Sequence, residues 1–179
     1  IPIFIIGGIS YAVSYNIAED KILNASISAD AQLHTQFDNR LQQVENIADT
    51  LQYNMYNLMQ TDAPMDTLAT LSEIRSNLSM FKTSFDLSYI NIFLPDEHMA
   101  SSENLYFFPV SKLSDFQIPK EALENPGTSS VWFYQDLLSV PFLMNNSYRM
   151  TNSVSCCRVL KHPGTDSIKY AYIIHLDAS

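Results

Sequence analysis

The sequence is poor in glycine, in cysteine and in charge. Only four of its 179 residues are glycine, and Gly7-Gly8 takes two of them, so there is no glycine-rich loop to cradle a phosphate. No GxSxG or HExxH pattern occurs. The two cysteines, Cys156 and Cys157, are adjacent, which is neither a disulfide framework nor a metal-site spacing. On a strand they point to opposite faces, one buried and one outward; a bond between neighbours would need unusual backbone geometry. Charged residues are only 16% against 46% hydrophobic, which excludes a disordered chain. Positive charge is scarcest: 10 basic residues face 19 acidic ones, the net charge is −9, and no basic run exists. Nothing would neutralise a phosphate backbone, so nucleic acid is excluded as a partner.

Charge is absent altogether from residues 1 to 18, IPIFIIGGISYAVSYNIA. As a helix this stretch covers about 27 Å of a hydrocarbon core about 30 Å thick. Glu19, Asp20 and Lys21 then mark an exit into water, and Tyr11 and Tyr15 fall where an interfacial aromatic belt sits. We read the stretch as the end of a transmembrane helix and the chain, which opens without Met, as part of a longer protein. A signal-peptide core lacks its basic region and cleavage site here. A buried helix of a soluble domain is the remaining alternative.

Glycine and proline are also missing from Ile9 to Ala63. A helix is expected from about Ile17 to Met59. Along it Phe37, Leu41, Val44, Ala48, Leu51, Met55 and Leu58 recur in steps of four and three, the seam of a helix that packs along a partner. That partner is a second copy of the chain or the next helix. Thr61-Asp62-Ala63-Pro64 breaks the run. A second helix follows over about Met65 to Phe81, with an apolar stripe of Leu68, Leu71, Ile74, Leu78 and Phe81.

The period then shortens. Leu87–Leu94 reads as a strand ended by Pro95-Asp96, and Asn104–Phe108 as its partner. Ser111 to Glu124 is a helical region interrupted by Pro119, and Ser130–Tyr134 is a short strand around the only Trp. Asp136 to Arg149 is loop-rich. Thr151–Lys161 and Ile168–Asp177 form a hairpin about the His162–Asp166 turn. On the last strand Tyr170, Tyr172, Ile174 and Leu176 share one face, and Ala171, Ile173, His175 and Asp177 the other. The expectation is an α+β chain in three parts: 1–18, the end of a membrane helix; 19–82, a stalk helix with an antiparallel second helix; and 83–179, an antiparallel sheet lobe.

That order of elements resembles the PAS-like Cache domain of bacterial receptors. The stretches RLQQVENIADTLQYNMYNL, SYINIFLPDEHMASSENLYFFPVSKL and SCCRVLKHPGTDSIKYAYIIHLD resemble the extracytoplasmic region of YesM-like sensor histidine kinases. The resemblance spans nearly the whole chain and rests on a pattern of hydrophobics and turns rather than on a catalytic signature. It implies a ligand-sensing region of a membrane-bound two-component sensor histidine kinase, outside the cell membrane. Its kinase module lies elsewhere, so this chain is itself no enzyme. It also implies a small-molecule ligand, with a sugar or oligosaccharide first. Heptad spacing adds a homodimer through the stalk. A chemotaxis-type receptor with the same outer lobe, and a module that binds a partner protein without a small ligand, are the alternatives.

Ligand-binding candidates come from the middle and end of the chain. Trp132, Phe133 and Tyr134 offer flat surfaces for a sugar. Tyr148, Arg149, Arg158 and Asp136 offer polar ends, and Asp177 a carboxylate closing the last strand. Against each stands a plainer role: Trp132 in the core, Arg158 in a surface ion pair, Asp177 as a turn cap. The spaced Tyr–Arg–Trp–Tyr motif of amino-acid-sensing Cache domains does not align, which argues against an amino-acid ligand. His175 and Asp177 share a strand face, but no third ligand has metal-site spacing, so no metal and no cofactor is expected.

Overall fold

In the computed structural model the described residues are 2–60, 64–85, 89–96, 106–124, 127, 129–136 and 152–177. Helix α1 runs without a break over Pro2–Leu58, so the apolar opening and the expected stalk are one helix. Among the described residues no helix is long and apolar enough to cross a membrane. The chain divides into two compact units, Ile1–Gln42 and Gln43–Ser179.

The first unit is helical, and Ile22, Leu23, Ile27, Leu33 and Phe37 on it are each more than half exposed. In the second unit the seam is spent within one copy of the chain. Val44, Ala48, Leu51, Met55 and Leu58 are all fully buried there. Helix α2 covers Pro64–Phe85, opening on the proline whose fixed φ suits a first turn. Leu71, Ile74, Leu78 and Phe81 are buried as the spacing predicts, but Leu68 is 56% exposed and lies off the stripe.

Five strands follow among the described residues: β1 (Tyr89–Leu94), β2 (Phe107–Pro109), β3 (Val131–Asp136), β4 (Asn152–Lys161) and β5 (Ile168–Asp177). A 3-10 turn at Val110–Asp115 and a short helix α3 at Lys120–Glu124 lie between β2 and β3. The sheet order is β2-β1-β5-β4-β3, consistent with the expected PAS-like lobe. Three pairings are antiparallel, but β1 and β2 run parallel, with Ile92 opposite Phe107. The sheet is therefore mixed rather than wholly antiparallel. A parallel return needs a connection of about a dozen residues, and the chain supplies about that many between Leu94 and Phe107. The β4–β5 hairpin forms as expected, its turn using Gly164 at φ 75°, a conformation that side chains with a Cβ rarely adopt.

Both faces of the sheet are covered. On one, the Tyr172 hydroxyl donates to the Ala48 carbonyl of α1 at 2.7 Å, so Tyr170, Tyr172, Ile174 and Leu176 face the long helix. On the other, Ala171, Ile173, Cys157, Val159 and Phe93 pack with Leu113, Phe116 and Ala122 from the 3-10 turn and α3. Double cover explains why all six residues of β1 are buried. It also corrects the expectation for the cysteines. Cys156 and Cys157 do point to opposite faces, yet both are fully buried and both are free thiols. Burial pushes each thiol up to about 12, far from the thiolate needed for redox or metal chemistry.

Candidate functional site

On the α1 face, β4 contributes one charged side chain, Arg158, which is 6% exposed. Its guanidinium fork is filled from α1 and from Ser130, the residue before β3. Nη2 donates to Glu45 Oε2 at 2.9 Å, and Nη1 to Asp49 Oδ1 at 2.7 Å and Gln52 Oε1 at 2.8 Å. Nε donates to Ser130 Oγ at 2.8 Å. Glu45, Asp49 and Gln52 are spaced i, i+4, i+7, so one stripe of the helix meets one side chain of the sheet. Glu45 is held further. Ser130 Oγ donates to Oε2 at 2.6 Å, and the Trp132 indole donates to Oε1 at 2.9 Å. Burial alone would raise the Glu45 carboxyl. The hydrogen bonds from Ser130, Trp132 and Arg158 outweigh it and hold the group below its ordinary value. This cluster fixes α1 on the sheet. Beside it Asp49, Gln52, Tyr53, Tyr56, Leu160 and Tyr170 line an open cleft of about 410 Å³.

The opposite face is divided. One half is the apolar cluster under the 3-10 turn and α3. The other half is polar and buried: Asn91, His175, Ser155 and Ser153 are each 0% exposed and Gln135 1%. Register brings them together, since His175 lies opposite Ser155 and Ser153 opposite Gln135. Asn91 Oδ1 lies 2.9 Å from His175 Nε2, and Ser155 Oγ lies 2.8 Å from His175 Nδ1. An amide oxygen only accepts, so Nε2 carries the proton and Nδ1 accepts from Ser155. Ser155 having spent its proton, Ser153 donates to it at 2.9 Å. The Phe116 ring stacks on the imidazole at 6.0 Å between centroids. Burial depresses His175 to about 3, so the ring is neutral at physiological pH. The chain of hydrogen bonds ends unsatisfied. Asn91 Nδ2 and both Nε2 and Oε1 of Gln135 are buried with no hydrogen-bond partner among the described residues.

The candidates read from the sequence divide between the two faces. Trp132 and Arg158 lie on the α1 face, where their polar groups are taken up by Glu45, Asp49, Gln52 and Ser130. Arg158 is thus in an ion pair, but a buried one. Tyr134 is 63% exposed on the same face of β3 as Trp132. Asp177 ends β5, exposed, on the side of His175. Tyr148 and Arg149 lie outside the described residues. Among the described residues no three His, Cys, Asp or Glu side chains come together to hold a metal. The polar half of the outer face is absent from the sequence reading, as is the role of Glu45, Asp49 and Gln52. Comparison with family models, with curated proteins and with solved structures gives no match.

Proposed function

We propose that this chain is the extracytoplasmic sensing region of a membrane-bound receptor of the sensor-histidine-kinase kind, in which ligand occupancy of the sheet lobe is passed to α1. What supports the reading is one observation. Strand β4 presents Ser153 and Ser155 to the polar half of the outer face and, three residues on from Ser155, presents Arg158 to the long helix. A change on one face of this strand therefore bears on the contact that positions α1. On the outer face the Asn91 and Gln135 amides are buried with atoms left unpaired among the described residues, which a plain core rarely keeps. No catalytic role is assigned to its polar half: His175, the buried titratable group among the described residues there, is neutral and its ring nitrogens are taken by Asn91 and Ser155.

The test is a thermal-shift screen of the 179-residue chain against sugars, oligosaccharides, amino acids, carboxylates and divalent cations. A ligand that binds only the folded chain stabilises it by about 2.7 kcal/mol at a hundred times its dissociation constant. Hydrogen exchange on any hit then reads α1. The expected result is a saccharide that raises the melting temperature and alters amide protection between Gln43 and Leu58. A flat screen, or a hit that leaves that part of α1 unchanged, would refute the reading.

A further inference from the structure

We infer that the open cleft between α1 and the β4–β5 hairpin is a site for a quaternary ammonium group, the trimethylammonium head of an organic cation. The cleft lies on the helix side of the sheet and goes beyond the sensing reading above; neither needs the other.

The cleft has two walls. Asp49, Gln52, Tyr53 and Tyr56 form one, spaced i, i+3, i+4, i+7 and so on one stripe of α1. Leu160 and Tyr170, opposite each other in the β4–β5 register, form the other. Its volume of about 410 Å³ falls in the range of small-ligand sites. Tyrosines dominate the lining. Tyr53 and Tyr56 are each more than half exposed, and Tyr170 backs them from the sheet. Among the described residues none of the three rings meets another ring or carries a lysine over its face, so the faces are open to a guest.

Charge decides the guest. The carboxylates of Glu45 and Asp49 face the single guanidinium of Arg158, which leaves one surplus negative charge. Asp49 gives Oδ1 to Arg158 at 2.7 Å, and its Oδ2 takes no hydrogen bond among the described residues. No lysine or arginine lines the cleft among the described residues, and Lys161, next to Leu160, is paired with Asp166 at 3.2 Å. An anion would meet Asp49 with the Arg158 guanidinium already spent on four acceptors. A cation is drawn both to that carboxylate and to the negative faces of the rings. Hydrogen bonding then selects among cations. An ammonium brings three N–H donors and a guanidinium five. The cleft has few acceptors for them, because Asp49 Oδ1 and Gln52 Oε1 already serve Arg158. A quaternary ammonium carries a full charge and no donor, so ring faces and one carboxylate oxygen suffice.

The test titrates choline and tetramethylammonium into the 179-residue chain and reads saturation-transfer NMR of their methyl protons. Ethanolamine and guanidinium test the donor argument. Dimethylbutanol, with a tert-butyl group in place of trimethylammonium, tests the charge. Tyr53→Leu and Tyr56→Leu keep apolar cover and remove the ring faces; Asp49→Asn removes the carboxylate charge. All three should melt within about 2 °C of the wild type, because the positions are exposed. We expect choline and tetramethylammonium to bind saturably and the other three compounds more weakly. Each tyrosine variant should weaken choline about two- to fivefold and the pair about tenfold, the range that exposed ring–cation contacts give. Asp49→Asn should weaken it about threefold or more. Phosphatidylcholine vesicles carry the same head group: vesicles that displace choline assign the site to a lipid, and vesicles without effect to a free solute, and the site stands in either case. Equal binding of dimethylbutanol overturns the inference, the cleft then being only an apolar groove. Choline affinity that survives the double tyrosine variant or Asp49→Asn overturns it too, placing the cation elsewhere, as does a preference for guanidinium or ethanolamine. Absence of saturable binding by both quaternary compounds overturns it and leaves the sensing reading intact, just as a failed saccharide screen leaves this site intact.

Discussion

Replacing Arg158 by Met keeps most of the buried aliphatic stem and deletes the guanidinium, so the loss reports the polar cluster rather than packing. Four hydrogen bonds disappear, to Glu45, Asp49, Gln52 and Ser130. Their weights differ. Asp49 is 70% exposed and regains water when the arginine goes, so its share is a few tenths of a kcal/mol. Glu45 is 30% exposed and keeps only Ser130 and Trp132 as donors. Stranding one member of a fully buried pair costs about 3–5 kcal/mol. Glu45 is partly wet, so the lower end applies, about 3 kcal/mol in all, or roughly 6–12 °C in melting temperature for a chain of this size. Urea unfolding of wild type, Arg158→Met, Glu45→Gln and the double variant completes a cycle, in which contacting residues should show a coupling of about 1–2 kcal/mol. Asp49→Asn should cost under about 0.5 kcal/mol. An Arg158→Met loss below about 1 kcal/mol, or an Asp49→Asn loss equal to that of Glu45→Gln, would refute this reasoning.

Two further outcomes follow from burial. His175 has its folded-state value lowered to about 3, so the unfolded chain binds the extra proton once pH drops below its ordinary value of 6.5. Stability is thus lost as pH falls from about 6.5 towards about 3, by about 1.4 kcal/mol per unit, or about 2 kcal/mol by pH 5. Urea unfolding of His175→Gln across that window should lack this slope; parallel curves for variant and wild type would count against a neutral buried imidazole. For the proposed stalk dimer, Leu33→Asp should lower the mass seen by light scattering without changing the melting temperature, since Leu33 is exposed within one copy. Leu51→Asp should instead unfold the lobe, since Leu51 is fully buried within one copy. An unchanged dimer mass in Leu33→Asp would remove that residue from the interface.

The elements were legible where period and punctuation agreed. Pro64 opens α2, Pro119 separates the 3-10 turn from α3, and β5 begins and ends where its alternation does. What periodicity does not carry is cover. A strand with one wet face and a strand with none share the same alternation, so Cys156 and Cys157 were separable by direction but not by exposure. The seam on α1 has the same limit, because Val44 to Leu58 would look alike packed on a second copy or on the chain's own lobe. The i, i+4, i+7 spacing of Glu45, Asp49 and Gln52 stands in the sequence, but Arg158 reads there only as a ligand contact or a surface ion pair. Nothing short of the sheet order could bring them together over more than a hundred residues of sequence. Ser153 and Ser155, two apart on one strand, and Asn91 inside an otherwise apolar strand were the faint signals of the polar strip. Their register with His175 was the missing fact.

Strand β4 is where the outer face and the helix clamp become one mechanical problem. Its odd residues Ser153, Ser155, Cys157 and Val159 face outward, and Cys156 and Arg158 between them face α1. A ligand that draws Ser153 towards itself must move the backbone that carries Arg158, about 10 Å along the strand from Ser155. Motion alone transmits nothing. To bias α1, the ligand must bind one arrangement of the clamp more tightly than another, and no ligand shifts the balance by more than that difference. The partners of the clamp are unequal: Glu45 is held by three donors and Asp49 is mostly in water, so Asp49 is the contact that costs least to give up. A cluster in which every member was equally buried would lock the helix in place.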